Sequence, residues 1–269
     1  MDDHRIAYRI ANGYTLSIRQ CLQRGFELFR LQMAASVANF LLLGLVSSVI
    51  LVFALVIPFV PYIIVSVLVA GGYYACREVA TGRPLGFGTF FAGFRRAEVM
   101  VGLLFAGLWQ GVLMLLCGVP LLIGYGWLLW EVGQHGNSFP QTVDDLRGAV
   151  KPFLFLLAGL AGGFVLLLPL LYIAVSWVLA VPLVAFRGRS GWQSHEESRR
   201  LIHNRWWRVF ALLLVLGFIN ALGMLVFSVG LLLTIPFTAF VAYATYEQII
   251  GFEEDNPNEE SNIMRHLVG

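Results

Sequence analysis

The sequence predicts an all-α fold, a polytopic transmembrane helical bundle of about six spans with interfacial amphipathic helices. Hydrophobic residues make up 58% of the 269-residue chain and charged residues 13%, against roughly 45–50% and 25% in a soluble domain. Several apolar runs exceed the ~18 residues typical of a transmembrane helix. Arginines concentrate in short segments between these runs, a pattern typical of cytoplasmic loops. The location of the basic residues therefore indicates membrane orientation, and the net charge of +2 does not predict a nucleic-acid partner.

Six spans follow from the apolar runs. They are predicted at 31–57, 62–76, 99–130, 152–186, 209–233 and 236–250. Residues 1–250 then form a single integral membrane domain, and 251–269 an acidic, disordered tail. The runs 99–130 and 152–186 are longer than one crossing requires and contain prolines, so each crosses once or twice. We favour single crossings, because half of either run is short for a full crossing.

Two amphipathic helices are predicted beside the spans, at 14–30 and 194–208. At about 100° per residue, the first has an apolar face and an arginine-rich face. Such a helix lies either in the membrane interface, with its arginines toward anionic headgroups, or on the protein's own cytoplasmic surface. Ser194 and Glu197 fit a capping box that would begin the second helix.

Arginine and tryptophan side chains beside the spans are candidate membrane-interface anchors, because both residue types favour the headgroup level. They are Arg19, Arg24, Arg30, Arg95, Arg96, Arg199, Arg205, Trp206, Trp207 and Arg208. The expected partners are a lipid bilayer with anionic headgroups and another membrane protein or a second copy of the chain.

The chain contains a same-sense internal repeat. Its paired segments are 17–29 with 198–210, Ile-Pro-Phe at 57–59 with 235–237, and Tyr-Ala-x-x-Glu-x-x-x-Gly at 74–82 with 243–251. Each copy reads as an amphipathic helix followed by a helical hairpin. The glutamates of the last pair, Glu78 and Glu247, are expected to bond to a neighbouring loop or its arginines.

Polar residues inside the predicted spans are few and neutral, with Gln110, Ser176 and Asn220 the main ones. The lack of acidic or basic residues deep in a span argues against an ion-coupled transporter. Hydrogen bonds between helices are the simpler role for the neutral residues. The alternative is a water-filled pathway, making the protein a carrier or channel for a lipid-like or neutral solute.

No catalytic, cofactor or metal site is expected. The chain has no G-x-S-x-G, H-E-x-x-H, C-x-x-C or glycine-rich phosphate loop. Cys21, Cys76 and Cys117 lack metal-ligand spacing and are expected to be unpaired. We therefore expect a non-enzymatic protein without a cofactor.

Scattered motifs carry a family resemblance. They are Tyr74 with Arg77-Glu78 and Gly82-Arg83-Pro84; Pro182 with Phe186; Ser198 with Asn204-Arg205-Trp206; and Gly230 with Pro236, Tyr243 and Tyr246. In this order the chain resembles uncharacterised bacterial multi-pass inner-membrane protein families with about six helices. The resemblance implies the bacterial inner (plasma) membrane, and the arginine distribution predicts cytoplasmic N- and C-termini. The expected function is that of a scaffold or accessory subunit acting through lipid or protein contacts.

Overall fold

A computed structural model describes residues 2–53, 60–95, 97–135, 168–225 and 229–252. Every regular element in these ranges is helical, so the predicted all-α fold is confirmed. Among the described residues, three segments are long and apolar enough to cross a membrane: Met33–Ile50, Leu168–Arg187 and Trp206–Leu225. They indicate a membrane protein.

The helices follow one another along the chain. They are α1 (Asp2–Asn12), α2 (Ile18–Leu31), α3 (Met33–Phe53), α4 (Val60–Ala80), a 3-10 helix (Phe87–Phe94), α5 (Ala97–His135), α6 (described over 168–176), α7 (Ala180–Arg187), α8 (Gly191–His203), α9 (Trp206–Leu225) and α10 (Leu231–Ile249). The chain divides into two compact units, residues 1–108 with 175–269 and residues 109–174. The contacts described below lie within the first unit.

Large parts of two apolar helices are not buried by the part of the chain that the structure describes. Only 11% of Met33–Ile50 and 22% of Trp206–Leu225 are buried. Leu45 on α3 and Phe218 on α9 are more than half exposed. Soluble monomers rarely expose such continuous apolar surface, so these faces suit contact with lipid.

The two long apolar runs differ in continuity. Helix α5 runs unbroken from Ala97 to His135, with Pro120 inside it. The second run is interrupted by a turn at 177–179, between α6 and α7. The turn precedes Pro182, which has no N–H to bond to the carbonyl four residues earlier, that of Val178. Pro182 therefore leaves the Val178 carbonyl without that bond, and the interruption separates α7 as a short helix.

The basic segment before α9 forms helix α8, which begins and ends earlier than the helix that the sequence predicts at 194–208. Helix α8 begins at Gly191, where the Ser190 hydroxyl accepts a 3.4 Å hydrogen bond from the Gln193 N–H. The predicted capping box is therefore wrong. Ser194 lies inside the first turn, and its hydroxyl donates to the Gly191 carbonyl at 2.8 Å. The helix ends at His203, so predicted helix 194–208 is split by a turn before α9.

Helix α2 packs against the protein itself. Its Gly25 lies so close to α10 that an added Cβ would stand 2.5 Å from Cγ2 of Val241 and 2.8 Å from its Cα. The ring of Phe29 packs against Phe237 and Phe240, with centroids 6.3 and 6.2 Å apart. Of the two predicted locations for this helix, the protein's own surface is thus the one its apolar face occupies.

The internal repeat appears clearly in the ends of α4 and α10. Gly82 and Gly251, the last residues of the repeated motif, have φ of +75° and +73°. A left-handed residue after a helix lets the chain turn while satisfying the last carbonyls, and glycine adopts it without strain. The first paired segment is less alike, because Ser17 caps α2 whereas Ser198 lies inside α8.

Candidate functional site

A polar cleft of about 460 Å³ lies where α4 ends. The end of α4, the following turn, the 3-10 helix and α7 contribute to its lining. Arg77, Arg83 and Arg95 line it together with Glu78. The cleft therefore gathers three cations and one acid beside apolar helices.

The turn that carries Arg83 is held by Gln32, at the junction of α2 and α3. The Gln32 side-chain amide donates to the Arg83 carbonyl at 2.7 Å, and its side-chain oxygen accepts from the Leu85 N–H at 2.8 Å. The Arg83 N–H also donates to the Glu78 carbonyl at 2.8 Å. These three bonds fix the backbone of this wall of the cleft.

Arg77 is positioned by aromatic rings. Its guanidinium carbon lies 4.1 Å from the ring centroid of Phe252 and 5.5 Å from that of Phe186. Phe252 is buried, although the sequence predicts a disordered tail from residue 251. Cation–π contacts of this kind hold a guanidinium in a defined plane.

Glu78 has a partner in the same cleft. Its carboxylate accepts a 2.7 Å hydrogen bond from the Thr89 hydroxyl on the 3-10 helix, as expected for a bond to the neighbouring loop. Within the part of the chain that the structure describes, no carboxylate forms an ion pair with Arg83 or Arg95. Both of these side chains are exposed. The lining therefore has an excess of positive charge.

The 3-10 helix is held closely against α4, which places Arg95 beside the cleft. An added Cβ on Gly71 of α4 would lie 1.9 Å from the carbonyl oxygen of Phe90, so only glycine fits there. Phe90 is fully buried and packs edge-on against Phe40 of α3, with centroids 5.1 Å apart. Arg95 follows directly after this anchored segment.

A second feature is the contact of α8 with the interrupted helix. The buried Ser198 hydroxyl donates to the Ser176 carbonyl at 2.6 Å and accepts from the Leu179 N–H at 3.2 Å. Next to it, the His195 ring meets Trp177 edge-to-face at 4.3 Å between centroids, and its Nδ1–H donates to the Gly191 carbonyl at 2.6 Å. Burial lowers the pKa of His195. The surroundings of both side chains indicate structural roles.

A third polar group joins α2 to the end of α10. Gln248 bonds to the Cys21 thiol at 2.9 Å and to the Gln20 amide at 2.8 Å. Arg24 forms an ion pair with Glu247 at 3.1 Å. Glu247 thus bonds to helix α2, whereas the sequence predicts a bond to a neighbouring loop or its arginines. These residues line a smaller cleft of about 210 Å³. Burial raises the pKa of the Cys21 thiol.

Several candidate anchors bond within the protein. Arg199 makes two 2.8 Å bonds to Glu196, and Arg205 and Arg208 donate to the carbonyls of Tyr14 and Leu16 at 3.2 and 3.4 Å. Arg24 is in the α2–α10 group described above. Arg19 and Arg30 are exposed on α2, and Arg95 lines the large cleft. Arg96 lies outside the described residues.

The tryptophan pair has one exposed member. Trp206 stacks on Phe210 with centroids 5.0 Å apart, whereas Trp207 is 75% exposed. Trp207 is thus the ring available to a membrane interface at the start of α9.

Neither cleft described above includes the predicted intramembrane polar residues. Asn220 of α9 donates to the Thr238 hydroxyl of α10 at 3.0 Å. Ser176 is buried, and its carbonyl accepts from Ser198. Gln110 is exposed on α5, in the other unit.

Arg77 and Arg83 belong to the basic segments that the sequence predicts between the spans, but the cleft itself is not predicted. Helix α1 is not predicted either, although Ile6 and Ile10 stand four residues apart, the spacing of one helix face. Ile6 is buried, and Arg205 and Arg208 bond to the segment that follows α1. The described residues contain no group of three or more side chains suited to a metal ion.

No protein-family model matches this chain, and neither a curated protein nor a solved structure does so.

Proposed function

We propose that the chain is a non-enzymatic, multi-pass inner-membrane protein that acts through lipid and protein contacts, as a scaffold or accessory subunit. It crosses the membrane about six times, with both termini in the cytoplasm. Helix α4 forms the second half of a hairpin with α3, and α10 forms the second half of a hairpin with α9. The runs 99–130 and 152–186 cross the membrane once each.

The observation that carries the proposal is the pairing of exposed apolar and exposed basic surface at the start of α3. Arg30 is exposed at the end of α2, and only 11% of Met33–Ile50 in the next helix is buried. A guanidinium at headgroup level beside a lipid-covered helix is a favourable arrangement.

The hydrogen bonds of the polar residues in the apolar helices support a scaffold or accessory subunit rather than a carrier or channel. Asn220 bonds across the second hairpin, and Ser176 lies where α8 bridges the helix interruption. These bonds favour a role in packing for both residues.

The proposal is tested on the full chain extracted from native membranes in lipid nanodiscs. We expect copurifying anionic lipid and a stoichiometric protein partner, or a second copy captured by cross-linking. In parallel, liposomes containing the purified protein should release a trapped neutral solute no faster than protein-free liposomes. Solute release above that control, without a partner or oligomer, would reject the proposal in favour of the carrier or channel.

A further inference from the structure

We propose that the cleft at the end of α4 binds a phosphate-bearing anion, with Arg77, Arg83 and Arg95 as the binding residues. The anion is a lipid headgroup or a soluble phosphate compound, since both present the same charged oxygens. This inference rests on the proposed function, because it assigns the contact with anionic headgroups to one site.

The charge of the lining carries the first step. Three arginines and one glutamate, Glu78, line the cleft, and the Glu78 carboxylate already accepts from Thr89. Like charges on one surface repel one another, and solvent reduces this repulsion between exposed groups such as Arg83 and Arg95. An anion in the cleft would relieve this repulsion.

The fixed geometry of the walls carries the second step. Gln32 holds the backbone of the turn that carries Arg83. The rings of Phe186 and Phe252 orient the Arg77 guanidinium. The packed 3-10 helix positions the backbone of Arg95, which follows it. Guanidinium groups bind phosphate through paired, charge-assisted hydrogen bonds. A site whose backbone is already ordered loses less entropy when it binds.

The size of the cleft carries the third step. Its volume of about 460 Å³ is within the ~300–1,000 Å³ of small-molecule sites. The cleft therefore has room for a group larger than inorganic phosphate, such as the glycerol phosphate part of a lipid headgroup.

The experiment measures the unfolding midpoint of the full chain in phosphatidylcholine nanodiscs with three additions. These are phosphatidylglycerol in the bilayer, inorganic phosphate in the buffer, or glycerol 1-phosphate in the buffer. A ligand that binds the folded protein raises the midpoint as its concentration rises. The test variant is Arg83→Gln with Arg95→Gln, since both side chains are exposed. The matched control is Arg19→Gln with Arg200→Gln, which removes equal charge from exposed positions outside the cleft.

We expect phosphatidylglycerol to raise the midpoint of the wild type and the control, and the test variant to lose the shift. Each lost arginine should weaken apparent affinity by about 10- to 100-fold. The same pattern with a soluble phosphate supports the site and assigns a soluble source. A shift lost equally in test and control variants, which would reflect diffuse charge, overturns the proposal.

The acidic residues that follow Phe252 require one more variant. Glu253→Gln with Glu254→Gln removes the acidic charge that follows Phe252 in the sequence. If no addition shifts the wild type or this variant, the site proposal is overturned. The proposed function is judged separately by the solute-release and partner measurements, so the two can fail independently.

Discussion

The hydroxyl of Ser198 donates to the carbonyl of Ser176 across 2.6 Å, joining α8 to the end of α6. The same oxygen accepts from the Leu179 N–H, on the other side of the turn. One side chain therefore satisfies two buried backbone groups that the interruption of the helix releases. An unsatisfied buried backbone group is costly, so the bridge explains how the helix can break here.

Replacing Ser198 by alanine should lower the free energy of unfolding by about 2–4 kcal/mol, because both backbone groups lose their partner. Denaturant unfolding in detergent would measure the difference. Ser194→Ala is the matched control. The Ser194 side chain is buried in the same helix, but within the described residues its hydroxyl bonds only to the Gly191 carbonyl. The loss of stability in this variant should therefore be well below that of Ser198→Ala. Equal losses in the two variants would contradict the bridging role.

A side chain at Gly25 should separate α2 from α10, because an added Cβ would meet both the side chain and the backbone of Val241. We expect Gly25→Leu to lower the unfolding midpoint, although leucine favours helix more than glycine by roughly 1 kcal/mol. Gly44→Leu on α3 is the control, since nothing lies within 4 Å of a Cβ there. A Gly25 variant as stable as the Gly44 variant would show that the close approach is absent.

Cys21 should react slowly with alkylating reagents, since it is buried and burial raises the pKa of its thiol. The thiolate is the reactive form, so the rate should rise as the pH increases. The measurement uses a variant with Cys76 and Cys117 replaced by alanine. Adding Gly25→Leu should speed the reaction at pH 7 by exposing the thiol. Fast labelling without that change would contradict the packing of α2.

The stability of the protein should decrease as the pH falls below the ordinary histidine pKa of about 6.5. Burial lowers the pKa of His195, so the unfolded chain takes up a proton that the folded chain does not. Stability rises with pH wherever the unfolded state binds more protons. Hydrogen bonds from Arg199 and Arg200 lower the pKa of Glu196 to about 2. Glu196 therefore stays ionised in this pH range.

Unfolding midpoints from pH 7.5 to 5 would measure this decrease, with His195→Gln as the comparison. The glutamine variant should have a flatter profile across the range. Parallel profiles for the two proteins would exclude His195 as the source.

The sequence predicts the parts of the fold that depend on local pattern. Helix α2 occupies Ile18–Leu31 where apolar periodicity predicts 14–30, and the repeated motif ends on left-handed glycines at Gly82 and Gly251. These features depend on residues within a few positions of one another. The sequence pattern places the N-cap of α8 at Ser194, which is wrong. Ser190 lies closer to the turn at Gly188 and is the N-cap of the helix.

The cleft and the helix bridge depend on contacts distant in sequence. Gln32 acts on Arg83 from 51 residues away, and Ser198 bonds to Ser176 from 22 residues away. Neither pairing has a local signature. Sequence marks these residues as polar or basic, and only the packing of the helices determines which of them meet.

A multi-pass topology with the basic segments on one side of the bilayer is the prediction on which the proposed function depends. It is tested most directly by labelling single cysteines with an impermeant reagent, in a background without Cys21, Cys76 and Cys117. The sites are Asn204, exposed between α8 and α9, and Asn137, in the predicted loop between the two long runs. We expect Asn204→Cys to react only from the cytoplasmic side and Asn137→Cys only from the opposite side. Labelling of both from the same side would contradict the six-span account.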